Sequence, residues 1–205
     1  MLGFNNTTIR QLRRKKMIQK ARFLYSNTRS VEFDGADDYV NLADVTETNS
    51  ASAFTIQMWV KPDDTQPNRW AGRRKDGNNR ISFAFLSGKI TAALATSGNA
   101  NGSVTQALDI SAWHFLTMVF DGSGAANADR LKVYLGTTEK TLSFSGTIPS
   151  ATYNFGASYP FRIGDDGASN YFLNGNVAQF YLYSSALSAS DVADNYNGTK
   201  ATYGL

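Results

Sequence analysis

The sequence predicts an all-β protein, an antiparallel two-sheet sandwich of the jelly-roll type, preceded by a basic arm. Three observations predict it. From Ser30 onward, short runs rich in β-branched and aromatic residues recur roughly every ten residues, and Gly, Asn, Asp and Pro separate them. Aromatic residues make up 13% of the chain and hydrophobic residues 42%, enough for a core between two sheets. Only one stretch after Ser30 has helical character.

The expected strands are Ser30–Phe33, Tyr39–Leu42, Phe54–Lys61, Arg80–Leu86, Lys89–Ala95, Ser103–Leu108, Trp113–Phe120, Leu131–Gly136, Lys140–Phe144, Phe161–Gly164 and Val177–Tyr183. In Phe54–Lys61, Phe54, Ile56, Met58 and Val60 point one way, and Thr55, Gln57 and Lys61 point the other. Trp113–Phe120 is apolar on both faces, as a central strand between two covered surfaces would be. Ser87-Gly88 is a two-residue hairpin turn. Ser188–Tyr196 is the expected helix, with Ser188 or Ser190 as N-cap and Asp191 near its start. Residues 62–79 read as a loop.

Charge divides the chain of 205 residues at residue 29. Met1–Arg29 holds Arg10, Arg13, Arg14, Lys15, Lys16, Lys20, Arg22 and Arg29 and no acidic residue, so the other 12 of 20 basic residues face all 17 acidic ones. A +8 arm precedes a −5 body, and the organisation expected is 1–29 as arm and 30–205 as domain. The arm reads either as one helix over Thr7–Tyr25 or as a solvated tail. Its charge suits an acidic protein surface or nucleic-acid phosphate. The chain has no cysteine and one histidine, His114. That excludes disulfides, thiolate metal sites and His-cluster sites, and it disfavours a Ser-His-Asp triad. His114, beside Trp113, reads as a structural residue of a core strand. No apolar stretch is long enough to span a membrane, and no apolar segment follows the N-terminal charges as in a secretory signal.

Several segments, in order, resemble the laminin-G-like, concanavalin A-like jelly-roll family over roughly residues 30–197. Ser30-Val-Glu-Phe-Asp-Gly-Ala-Asp-Asp-Tyr-Val-Asn-Leu42 is similar to its first hairpin, and Phe54-Thr-Ile-Gln-Met-Trp-Val-Lys-Pro62 to its third strand. Trp113–Gly122, Leu131–Gly136, Phe161–Gly164, Phe172–Tyr183 and Ala186–Val192 supply the later landmarks. The resemblance implies a calcium option at Asp34, Asp37 and Asp38, since many members hold calcium near the first hairpin and the last long strand. Acidic residues common on that late strand are replaced here by Ala178 and Gln179. The alternative for the aspartates is a plain Asx turn. No cofactor is required in this reading.

Glucanases of this superfold use paired glutamates. Glu32, Glu47 and Glu139 lie far apart in sequence, and Asp165-Asp166 reads as a solvated turn, so no enzymatic activity is expected. In the 62–79 segment, Trp70 with Arg69, Arg73 and Arg74 is a candidate ligand or interface loop; the alternative is a Trp folded onto the sandwich. Tyr153, Phe155, Tyr159 and Phe161 form either a hairpin core or an assembly surface.

Together these features favour a virion structural protein, a bacteriophage capsid decoration or head-fibre protein that docks through its arm and displays a lectin-like domain. The partners expected are virion proteins such as the major capsid protein and further copies of the chain, with a glycan or arm-bound nucleic acid as options and no membrane. The location expected is the virion. The alternatives are a carbohydrate-binding adhesion module, with or without calcium, and a capsid protein whose arm binds nucleic acid.

Overall fold

The computed structural model of the chain describes residues 30–168 and 170–204. The expected arm helix and the expected roles of Arg10, Arg13, Arg14, Lys15, Lys16, Lys20 and Arg22 lie outside the described residues.

Thirteen strands form among the described residues. They are β1 (Val31–Asp34), β2 (Val40–Asn41), β3 (Ala53–Pro62), β4 (Asn68–Asp76), β5 (Asn79–Leu86), β6 (Lys89–Ala95) and β7 (Asn101–Thr105), then β8 (His114–Asp121), β9 (Leu131–Leu135), β10 (Thr138–Lys140), β11 (Ser143–Ser145), β12 (Arg162–Ile163) and β13 (Asn174–Tyr183). Two helices join them, α1 (Asn127–Arg130) and α2 (Ala189–Asn197), with 3-10 turns at Thr46–Thr48 and Lys200–Tyr203. The strands make two antiparallel sheets. One has six strands in the order β1-β13-β3-β8-β9-β10, and the other seven in the order β11-β7-β6-β5-β4-β12-β2. This is the two-sheet sandwich that the alternating pattern predicts. No described helix is long and apolar enough to cross a membrane.

The core lies between the sheets. Phe54, Ile56, Met58 and Val60 of β3 share it with Ile81, Phe83 and Phe85 of β5 and Ile90, Ala92 and Leu94 of β6. Each such burial contributes about 1.5–3 kcal/mol. Ser87 and Gly88 both have positive φ, 53° and 74°, the backbone of a tight hairpin turn between β5 and β6. Phe155 and Phe161 are buried and Tyr153 and Tyr159 pack against the core, so that aromatic group is core rather than an assembly surface.

The two outer faces differ. On the six-stranded sheet, Thr55 and Gln57 are fully buried although the alternation points them away from the core. The C-terminal segment covers them: Thr55 Oγ1 donates to Ser185 O at 2.8 Å, and Asn195 Nδ2 donates to Gln57 Oε1 at 2.7 Å. Helix α2 is fixed there by a capping box, in which Ser188 accepts from Asp191 N and the Asp191 carboxylate accepts from Ser188 N. Beside it, Trp59 packs with Phe115 and stacks on Tyr203 at 4.2 Å, and its Nε1 donates to Thr199 Oγ1. The seven-stranded sheet has no described helix on its outer face.

One expected loop is a strand. Residues 68–76 form β4, paired with β5 and β12. Register shifts between Arg69 and Ala71 and between Arg74 and Asp76 break the period of two. Four cations in nine residues hide the rest of the β signal.

Candidate functional site

The register shift on β4 decides which side chains reach the outer face of the seven-stranded sheet. Ala71 and Arg73 pair with Phe83 and Ile81 and face the core, whereas Arg69, Gly72 and Arg74 pair with Ala84, Ser82 and Arg80 and face outward. Arg162 of β12 pairs with Gly72 and with Asn41 of β2, so it shares that face. Four arginines, Arg69, Arg74, Arg80 and Arg162, therefore stand together on three adjacent strands.

Two carboxylates seat among them. Asp165 and Asp166 follow β12 and are both fully buried, which corrects the solvated turn expected for them. Asp166 Oδ2 lies 2.9 Å from Arg74 Nη2 and 3.1 Å from Arg69 Nε, the latter as an ion pair without hydrogen-bond alignment. Asp165 Oδ2 accepts from Arg162 Nη1 at 2.9 Å. Glycine at 72 makes room for this arrangement, because a Cβ there would stand 2.9 Å from Asp166 Cβ and 2.2 Å from Ile81 O. Arg80 has no carboxylate partner among the described residues; its guanidinium donates to Gly77 O and Asn99 Oδ1. Burial pulls Arg69 and Arg80 below the ordinary guanidinium value, and Arg74 adds to the shift at both. Both remain charged, because arginine starts so far above neutrality.

Two exposed tyrosines flank the arginines. Tyr171 is 47% exposed and Tyr39 is 42% exposed. The Arg69 guanidinium lies over Tyr171 at 4.9 Å, and that of Arg162 lies over Tyr39 at 4.2 Å. Tyr171 is held in a left-handed backbone conformation, φ 78°. Its carbonyl accepts from Arg69 N at 2.8 Å, and Arg69 Nη1 also donates to Asn170 Oδ1 at 2.6 Å. The strained backbone is thus pinned to β4 with its ring turned to solvent. Arg162 Nε and Asp165 Oδ1 are buried here without hydrogen-bond partners among the described residues.

The sequence-predicted residues divide between site and core. Arg69 and Arg74 belong to the outer face. Trp70 and Arg73 do not: both are fully buried. Trp70 packs edge-on to Phe83 at 5.3 Å, so its ring has no free face for a sugar or a partner. Arg73 points inward and donates to Val45 O, Thr48 Oγ1, Gly156 O and Tyr159 O, and it pairs with Asp44 at 3.2 Å. His114 begins β8, half-buried, with Nε2 2.8 Å from Asp109 O. Tyr39, Tyr171, Arg80 and Arg162 escaped the sequence reading. The alternation of Phe161-Arg-Ile-Gly164 does point Arg162 outward, but no local signal marks the tyrosines.

Asp34, Asp37 and Asp38 converge at the hairpin that ends in Tyr39. All three are exposed, and one carboxylate oxygen from each lies within 4.8 Å of the others. Ala36 N donates to Asp34 Oδ1 and Asp34 N to Asp38 Oδ2, so the Asx turn is present as well. Among the described residues, Asp34 Oδ2, Asp38 Oδ1 and both oxygens of Asp37 accept no hydrogen bond and are placed to act as ligands. None of the three forms an ion pair among the described residues. Clustered hard anionic oxygens suit calcium. An apolar slot of about 150 Å³ lies nearby, lined by Val31, Phe33, Val40, Ile163, Val177 and Phe180. It offers few polar groups to orient a ligand.

Residues 34–193 match the family described as the concanavalin A-like lectin/glucanases superfamily. The chain belongs to this superfamily. Solved structures share the fold at low identity. The CBM40 of a Ruminococcus gnavus IT-sialidase, bound to α2,3-sialyllactose, superposes with a TM-score of 0.65 at 11% identity, over 82% of this chain and 96% of its own. Domain 4 of AbnA, a GH43 extracellular arabinanase from Geobacillus stearothermophilus, in complex with arabinotriose, gives 0.64 at 22% identity, over 80% and 75%. A heptameric SAP-like pentraxin from Limulus polyphemus gives 0.60 at 13% identity, over 82% of each chain. No curated protein matches the chain.

Proposed function

We propose that this concanavalin A-like domain is a non-enzymatic glycan-binding module whose site is the arginine–tyrosine face of the seven-stranded sheet. The observation that carries the reading is the pair of exposed tyrosines, Tyr39 and Tyr171, each fixed beside an arginine on the sheet face that no described helix covers. A solvent-facing aromatic ring with polar groups at its edge suits a sugar, whose apolar face stacks while its hydroxyls find hydrogen bonds. Two of the fold's solved relatives are sugar complexes, which supports the same choice. The non-enzymatic part rests on separation: Glu32 and Glu139 sit on β1 and β10, opposite edges of the six-stranded sheet, and Glu47 is on a 3-10 turn. Calcium at Asp34, Asp37 and Asp38 would anchor the hairpin that carries Tyr39 and supply a hard cation beside the sugar site.

A glycan array followed by titration tests this. Tyr171→Ala is expected to weaken binding of the best glycan at least about ten-fold with an unchanged melting temperature, because the ring is half exposed. Calcium is expected to raise the melting temperature where magnesium does not. That rise should vanish in Asp37→Asn, which removes a carboxylate that accepts no hydrogen bond among the described residues. Undiminished binding by the Tyr171 variant sinks the site, and a melting temperature blind to calcium sinks the metal.

The capsid-decoration reading is the second, and the charge split between arm and body supports it. The two are compatible, since a displayed module can also bind sugars. It expects the full chain to oligomerise through its arm. Light scattering on a variant with Arg13, Arg14, Lys15 and Lys16 changed to Glu should then report a smaller mass, and an unchanged mass argues against the arm as an assembly element.

A further inference from the structure

Arg74 and Arg80 stand directly opposite each other on neighbouring antiparallel strands. Like charges in that relation destabilise a sheet. Arg69 joins them, and Asp166, a carboxylate that acts on all three, is already shared between Arg69 and Arg74. Across the face, four guanidiniums meet two buried carboxylates. Among the described residues, the groups that accept from Arg80 are two neutral oxygens, Gly77 O and Asn99 Oδ1, and Asp166 and Asp76 act on it only without direct pairing. A local arrangement that opposes folding without compensation is a mark of function.

The surroundings of Arg80 are shaped for a ligand. The outward residues next to it are small: Ser82 on its own strand, and Ala95 and Ala93 across on β6. All three are buried, whereas Arg74 and Arg80 are half-buried, so a group lying over this part of the sheet meets the two guanidiniums first.

We infer that the glycan bound on this face is acidic, with its anionic group held by Arg80 and Arg74 and its ring carried toward Tyr171. The inference rests on the glycan-binding reading and deepens it. A carboxylate or sulfate supplies the missing counter-charge to the Arg74–Arg80 pair, and the planar guanidinium fork matches either group in two parallel hydrogen bonds. A neutral sugar would leave the repulsion in place.

The test is an array carrying neutral glycans beside the same backbones bearing uronate, sialate or sulfate groups, probed with the intact chain. Acidic members are expected to bind at least ten-fold better than their neutral parents at low salt, and the advantage should shrink as salt rises. The carboxylate and sulfate arms tell which anion is held. Arg80→Gln should abolish the advantage while melting no lower than the wild type, because it also removes a like charge. Arg80→Lys should restore part of it. Equal binding of acidic and neutral members, or a preference that survives Arg80→Gln, overturns the inference and leaves the glycan reading standing. Silence across the whole array overturns both.

Discussion

Replacing Arg73 by methionine is expected to destabilise the domain by about 3–5 kcal/mol, which lowers the melting temperature by roughly 10 °C for a domain of this size. Arg73 is fully buried, yet it is an organising centre rather than a liability. Its guanidinium donates to the carbonyls of Val45, Gly156 and Tyr159 and to the Thr48 hydroxyl, and it closes an ion pair with Asp44. Those acceptors belong to two long connections, between β2 and β3 and between β11 and β12, which have few ladder hydrogen bonds of their own. The Arg73 guanidinium also lies over the Phe155 ring at 4.7 Å. Methionine fills much of the same volume but donates nothing. The carbonyls would be left buried and unpaired, and each such loss costs about 1–3 kcal/mol. Calorimetry on the variant checks this. A loss below about 1 kcal/mol would mean that water replaces the guanidinium, and the two connections would then need another explanation for their order.

The sandwich was legible in the sequence because its signals are local. The alternation of β3, the Ser87-Gly88 turn between β5 and β6, and the Ser188 cap of α2 each depend on residues within one element. The site was not legible, because it is made by pairings distant in sequence. Arg74 and Asp166 are 92 residues apart, and without the sheet order nothing connects an arginine-rich stretch with an Asp-Asp turn. The same distance misled the reading of Trp70. Its neighbours are charged, so it reads as a loop anchor. The bulge after Arg69 turns it inward onto Phe83 while its flanking arginines go to opposite faces. The tyrosines are the extreme case. Tyr171 is exposed only because Arg69 holds the preceding residue and its own carbonyl, a contact invisible from a turn-rich sequence. Covering of the six-stranded sheet was hidden for a similar reason, since Gln57 is satisfied by Asn195, 138 residues later.

Asp166→Asn is expected to reduce stability by about 3 kcal/mol and to abolish glycan binding with it. The exchange keeps shape and removes charge, leaving Arg69 and Arg74, both largely buried, without their shared counter-ion. Two guanidiniums would then face each other with Arg80 as a third, and the turn after β12 would lose its electrostatic hold on the sheet. Because that turn leads to Tyr171, the aromatic ring would no longer be presented in one position. Stability and binding fail together in this account, so a compensating change is the decisive measurement. Adding Arg74→Met to Asp166→Asn removes one of the stranded cations and should recover a large part of the stability, as when a buried ion pair is replaced as a unit. Binding should not recover, because Arg74 is one of the two arginines assigned to the ligand. If the double variant stays as unstable as the single one, the stranded Arg74 cation is not the source of the loss, and the charge that Asp166 balances is that of Arg69. If it regains binding as well as stability, the sugar site lies away from β4, and the acidic hairpin at Asp34, Asp37 and Asp38 becomes the place to look.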